Sequence, residues 1–158
     1  QNTMIRFYSK YPSVQERENF LSFMLFMPLL LIIPVSAITY FFYDQIAVLI
    51  LDKNPEIKPF LWLIPILGIC MGYFEVYYAW VKVHLQSVYG NFLKEIGLRI
   101  LISIFLFGVY FHFITVEQFI TATMFAYLIS MLLMLFYANK VQPISFKFKV
   151  PDVFILGT

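Results

Sequence analysis

Residues 19–43, NFLSFMLFMPLLLIIPVSAITYFFY, run for 25 positions without one charged side chain. As a helix this stretch reaches ~37 Å, enough to cross a hydrocarbon core of about 30 Å with some tilt. Three more apolar runs follow at 59–83, 96–114 and 116–138. Soluble domains are about half apolar and a quarter charged. This chain is 61% hydrophobic and 13% charged, with a mean hydropathy of +0.81. The pattern predicts an all-α membrane protein with four transmembrane helices in a bundle. Residues 1–18 are expected as a cytoplasmic loop, and 139–158 as a cytoplasmic segment that reaches a candidate start of a further helix. Short connections leave no room for a domain outside the bilayer.

Charge gives the orientation. Lysines and arginines fall at Arg6, Lys10 and Arg17, at Lys53 and Lys58, at Lys82, Lys94 and Arg99, and at Lys140, Lys147 and Lys149. With four crossings, all but Lys53 and Lys58 lie on one side, which the positive-inside rule assigns to the cytoplasm. Residues 1–18, 84–95 and 139–150 are therefore expected inside. The connection carrying Asp44, Asp52 and Glu56 is expected outside, with the tight turn at Thr115. A net charge of +2, scattered along the chain, argues against nucleic acid as a partner. Cys70 is the single cysteine, so no disulfide framework exists. The chain opens on Gln1 without a signal-peptide pattern and ends on apolar VPDVFILGT after FKFK. Both ends read as cut, which predicts an internal piece of a longer membrane protein.

Several features concern packing. Pro28 and Pro34 interrupt the first span, and each removes a backbone donor and favours a kink. That geometry serves simple packing or a gating hinge. Asn19 is a candidate cap for the first span, and Asn91, in the turn SVYGN, for the third. Tyr40, Phe41, Phe42 and Tyr43 suit an outer aromatic belt, and Tyr77, Tyr78 and Trp80 an inner one; such ladders serve as belt or packing, not as a cofactor box. Gly68-x-x-x-Gly72 and Ala122-x-x-x-Ala126-x-x-x-Ser130 place small residues where helices approach closely in lipid. Glu95 and Arg99 form a favourably oriented i,i+4 pair.

Among polar residues, Glu75 stands out. It lies about ten positions, roughly 15 Å, from the cytoplasmic end of its span. A carboxylate at that depth costs at least ~2.5 kcal/mol and is expected to face protein or a watery cavity. Lys82 follows two turns along the same face, with a stem long enough to snorkel to the interface. Glu75 either lines a translocation path or couples to a proton or cation, or it bonds a neighbour and holds the bundle together. His84 and His112 belong to opposite ends of the bundle and read as interfacial anchors. No H-E-x-x-H, C-x-x-C, Walker loop or G-x-S-x-G occurs, so the chain carries no catalytic, metal or cofactor signature.

The segments MIRFYSKYP (4–12) and YFEVYYAWVKVHLQSVYGNFLKEIGLRIL (73–101) resemble oligosaccharide flippases of bacterial polysaccharide biosynthesis. These belong to the multidrug/oligosaccharidyl-lipid/polysaccharide exporter superfamily. The resemblance implies a transporter of twelve to fourteen helices in two bundles, with the four spans matching its third to sixth helices. It implies movement of an undecaprenyl-diphosphate-linked oligosaccharide across the inner membrane by alternating access, for polysaccharide or lipopolysaccharide biosynthesis. No covalent chemistry is implied, so the chain is not expected to be an enzyme. Partners are then the lipid-linked oligosaccharide, the bilayer and the remaining helices of the parent chain. Glu75 is the candidate for ion coupling, and Lys82 and Arg99 are candidates for the substrate path. Two alternatives stay open: a drug or cation exporter of the same superfamily, and a four-helix membrane scaffold.

Overall fold

A computed structural model of the chain describes residues 2–8, 10–11, 13–51 and 55–143. Among the described residues every regular element is a helix. α1 (Asn2–Tyr8) leads to α2 (Val14–Phe41), α3 (Tyr43–Leu51) and a 3-10 turn (Pro55–Phe60). α4 (Leu63–Val83) follows, then α5 (Val88–Asn91), a π-helical turn (Phe92–Gly97), α6 (Leu98–Tyr110) and α7 (Val116–Val141). α2, α4 and α7 are long and apolar enough to cross a membrane. Their 28, 21 and 26 residues correspond to ~42, ~32 and ~39 Å. The chain is thus compatible with a multi-pass membrane protein. α6 alone, with 13 residues, reaches only ~20 Å, although helix runs unbroken from 88 to 110.

Element starts differ from the sequence expectation in instructive ways. α2 begins at Val14 rather than at Asn19, because Ser13 and Glu16 form a reciprocal capping box. Within the expected loop, residues 2–8 and 14–18 are accordingly helical. α1 is held to the start of α2 by Arg17, whose Nε donates to the Tyr11 carbonyl at 2.8 Å and whose guanidinium lies 5.5 Å from the Tyr8 ring centre. Pro28 and Pro34 lie inside a continuous α2. The connection after α2 is helical as well, through α3 and the 3-10 turn. Asp52, Lys53, Lys147, Lys149 and the expected further helix at VPDVFILGT lie outside the described residues. Asn91 caps nothing: helix has already begun at Val88. α7 starts where expected, on a second capping box between Thr115 and Gln118.

Side-chain pairings set the directions. Tyr78 meets Asn91 and Glu75 meets Lys94, so α4 and the α5–α6 run are antiparallel. At the same end, the Tyr137 hydroxyl donates to Gln86 Oε1 at 3.3 Å and the Tyr137 ring packs on Tyr89. α7 therefore runs in the direction of α4. Ile32 meets Gly72, while Val35 and Thr39 share a cavity with Ile64 and Gly68, which makes α2 antiparallel to α4.

The core sits at one end of this bundle. Phe20, Leu21, Met24 and Leu25 of α2 pack with Phe74, Tyr77, Tyr78, Trp80 and Val81 of α4, Leu93, and Met134 and Ala138 of α7. Tyr77, Tyr78 and Trp80 are buried here, so of belt and packing it is packing that they serve. Their ring area gains more from packing between three helices than from lying at a surface. Tyr40, Phe41, Phe42 and Tyr43, by contrast, are exposed. The small-residue row of α7 works as expected: Ala126 and Ser130 are buried and continue through Met134 and Ala138. The row on α4 does not. A methyl group at Gly72 would rest 3.8 Å from Ile32 Cδ1, and one at Gly68 would meet nothing within 4 Å. α2 and α4 part beyond Gly72 and leave an open cavity of about 250 Å³ lined by Ile32, Val35, Ser36, Pro65 and Gly68.

Two helix ends carry backbone strain. After α4 the Gln86 N–H bonds the Val81 carbonyl at 3.2 Å, and the Leu85 N–H bonds the Lys82 carbonyl at 3.1 Å. After α6, Phe113 and His112 bond Gly108 and Val109 in the same way. Both are Schellman closures, which place the residue after the cap in the left-handed region and favour glycine there. Here Leu85 has φ 61° and His112 has φ 59°. Leu85 is 94% exposed, so removing its side chain loses no packing. Leu85→Gly is expected to raise the unfolding midpoint in detergent, by relief of up to about 1 kcal/mol. Gly90→Ala is expected to lower it by about 1–3 kcal/mol, because the new Cβ overlaps the Tyr78 ring and lies 3.2 Å from Met134 Cε. Thermal unfolding of the purified variants measures both.

Candidate functional site

Polar side chains converge where α4 meets the α5–α6 run. Glu75 faces this seam from α4, and its Oε1 accepts a charge-assisted hydrogen bond from Lys94 Nζ. One turn further along α4, the Tyr78 hydroxyl donates to Asn91 Oδ1. These two contacts close the hairpin like successive rungs. Gly90 makes the approach possible, since only a residue without Cβ fits against the Tyr78 ring. The π-helical turn then sets the aim of Lys94. Its Leu98 N–H bonds back to the Leu93 carbonyl, five residues earlier. This wider turn adds a residue to the helical circuit relative to an α-turn, and Lys94 lies within it.

Lys82 and Lys94 both address Tyr78. Their Nζ atoms lie 5.7 and 5.8 Å from the centre of its ring, within cation–π range. Tyr78 itself is buried, so one aromatic ring links two ammonium groups, an amide and, through Lys94, a carboxylate. The side chains of Glu75 and Lys94 remain 36% and 38% exposed. An open pair in water contributes about 0–1 kcal/mol; beside hydrocarbon, where charges lack water, leaving either partner alone costs more.

The three residues singled out from the sequence thus fare differently. Glu75 is at the centre of the cluster. Lys82 joins it through Tyr78, not by pairing with Glu75. Arg99 stands apart and forms the expected i,i+4 pair with Glu95 at 2.8 Å. Lys94 was missed. It lies 19 positions from Glu75, and only a hairpin register that steps back through SVYGN could have pointed to it. Asn91 was assigned to capping, and the structure spends its carbonyl on Tyr78 instead. Among the described residues, no three His, Cys, Asp or Glu side chains gather in a way that would hold a metal ion.

At the same end of the bundle, His84 caps α4. Its ring meets Tyr8 edge-on at 5.6 Å, which ties α1 to the turn. Gln142 at the end of α7 stands beside it and favours the protonated form, yet His84 Nε2 and Gln142 Oε1 are buried without hydrogen-bond partners. Burial is the larger effect and lowers the proton affinity of the imidazole. The unfolded chain therefore binds this proton more readily than the folded one. The stability that neutral His84 contributes is complete above the ordinary histidine value and is lost as pH falls through the depressed folded one. Unfolding midpoints taken from about pH 8 down to about pH 5 are expected to fall for the natural chain, and to fall less for His84→Gln.

No protein-family model matches the chain, and no curated protein or solved structure is similar to it.

Proposed function

We propose that the chain is part of a flippase that moves a lipid-linked oligosaccharide of the undecaprenyl-diphosphate type across the bacterial inner membrane by alternating access. In this reading α2, α4, the run 88–110 and α7 are four of its crossings. Residues 1–18, the turn 84–87 and 139–150 face the cytoplasm, since helix already runs from 88 and draws the boundary back from the expected 84–95, and further helices of a parent chain complete the cavity. The activity is transport without bond-making or bond-breaking.

The Glu75–Lys94 pair carries the proposal. Ionisable groups at membrane depth are costly and commonly mark substrate or ion pathways. This pair bridges two successive helices and stays partly open on one side. Opening it releases a carboxylate for a coupling cation or proton, and closing it locks the α4–α5 hairpin. Residues 73–101, which carry the resemblance to the flippases, contain the whole cluster of Glu75, Tyr78, Lys82, Asn91 and Lys94.

Replacing Glu75 by Gln or Ala in the parent gene is expected to abolish surface polysaccharide while the protein still reaches the membrane. Normal surface polysaccharide in both variants would remove Glu75 from the transport cycle. Drug hypersensitivity with intact polysaccharide would instead assign the chain to the exporters of the same superfamily.

A further inference from the structure

We propose that the groove between α2 and α4 is a binding site for a single acyl chain of a bilayer phospholipid, at the end of the bundle away from the aromatic core. The inference stands without the transport reading, and the occupant is a resident lipid rather than a transported one.

The groove is a wedge. α2 and α4 approach at Gly72, where an added methyl group would rest 3.8 Å from Ile32 Cδ1, and one turn away at Gly68 it would meet nothing within 4 Å. Two adjoining cavities, of about 250 and about 800 Å³, occupy the gap and share Ser36, Thr39 and Pro65. The smaller reaches Ile32 and Gly68 towards the apex, and the larger opens at Phe41 and Trp62. A helix, ~10–12 Å across with its side chains, does not enter the apex of such a wedge. A single hydrocarbon chain does, and it restores the dispersion contacts that the parted helices forgo.

Polarity is graded along the groove. The residues that line the smaller cavity alone, Leu31, Ile32, Val35, Ile64 and Gly68, are all apolar. Those that line the larger alone include Tyr40, Tyr43 and Trp62. Of the shared hydroxyls, Thr39 Oγ1 donates to the Val35 carbonyl at 2.9 Å, so its hydrogen is spent within α2. Among the described residues no charged side chain lines either cavity. An apolar throat that opens on a rim of tyrosine and tryptophan suits a lipid, whose chain is apolar and whose ester region lies at the interface where such rings settle.

Length selects the same ligand. From Ile32 to Phe41 the groove follows α2 for ~14 Å, and from Gly72 to Trp62 it follows α4 for ~15 Å. The hydrocarbon core is about 30 Å thick, so the groove has the depth of one leaflet and the reach of one acyl chain. A packing helix would span both leaflets. With no charge in the lining, selection acts on the chain and not on the headgroup.

The chain is extracted into detergent from bilayers of phosphatidylcholine or of phosphatidylglycerol, and retained lipid is counted by native mass spectrometry. A single retained lipid is expected, with both headgroups held alike. Gly68→Leu sends a side chain into open space without displacing a neighbour; it is expected to lose the lipid, while Gly68→Ala keeps it. A second measurement uses the two tryptophans, of which Trp62 is exposed at the rim and Trp80 is buried in the core. Phosphatidylcholine brominated beside the ester, added to the protein in detergent, is expected to quench Trp62 saturably, and more than lipid brominated at the chain end. Absence of retained lipid, retention indifferent to Gly68→Leu, retention of phosphatidylglycerol alone, or quenching that never saturates would each overturn the proposal. A dimer that Gly68→Leu dissociates would assign the groove to a second copy of the chain and overturn it as well.

Discussion

The contact between Glu75 and Lys94 joins a full charge of each sign across two apolar helices, and beside hydrocarbon neither charge would be tolerated alone. That requirement dictates much of what surrounds it. The two residues meet only if α4 and the following helix run antiparallel in one register, which the Tyr78–Asn91 hydrogen bond repeats one turn away. The same register needs a glycine at 90 to admit the Tyr78 ring, and a turn between α4 and α5 short enough to accept left-handed Leu85. The π-helical turn that contains Lys94 is a further concession to this geometry. Irregularities that look separate along the chain thus serve one seam.

The seam also explains the uneven packing of the bundle. The buried aromatics of α4 lie at the end where the hairpin closes, against the start of α2 and the end of α7. At the other end α2 and α4 separate, and the apolar side chains of Leu30, Leu31 and Ile33 stand exposed. Such surfaces suit lipid or further helices rather than water. One end of the molecule is therefore tightly packed and the other is open.

Much of the architecture was legible because it follows from local pattern. Long apolar runs announce α2, α4 and α7, and the every-fourth-residue row of Ala126 and Ser130 announces the buried face of α7. Glu75 could be singled out because a carboxylate is conspicuous in an apolar helix. What the sequence concealed depends on distant or competing contacts. Asn91 has the chemistry of a cap, yet Tyr78 takes its carbonyl. Tyr77, Tyr78 and Trp80 suit an interface as well as a core, and composition alone does not choose between them. Gly68 and Gly72 have the spacing of a close helix crossing, but divergence of α2 leaves Gly68 facing open space. Lys94 is an ordinary lysine until the hairpin register brings it to Glu75.

A double-mutant cycle on Glu75 and Lys94 tests the seam most directly. Unfolding in lipid or detergent is compared for Glu75→Gln, Lys94→Gln and the pair together. Each single replacement strands a charge and is expected to destabilise the fold more than the double replacement does. The expected coupling exceeds about 1 kcal/mol, and exchanging the two residues, Glu75→Lys with Lys94→Glu, is expected to recover most of the stability. Additive single effects with no recovery on exchange would contradict an ion pair that holds α4 to the helix after it.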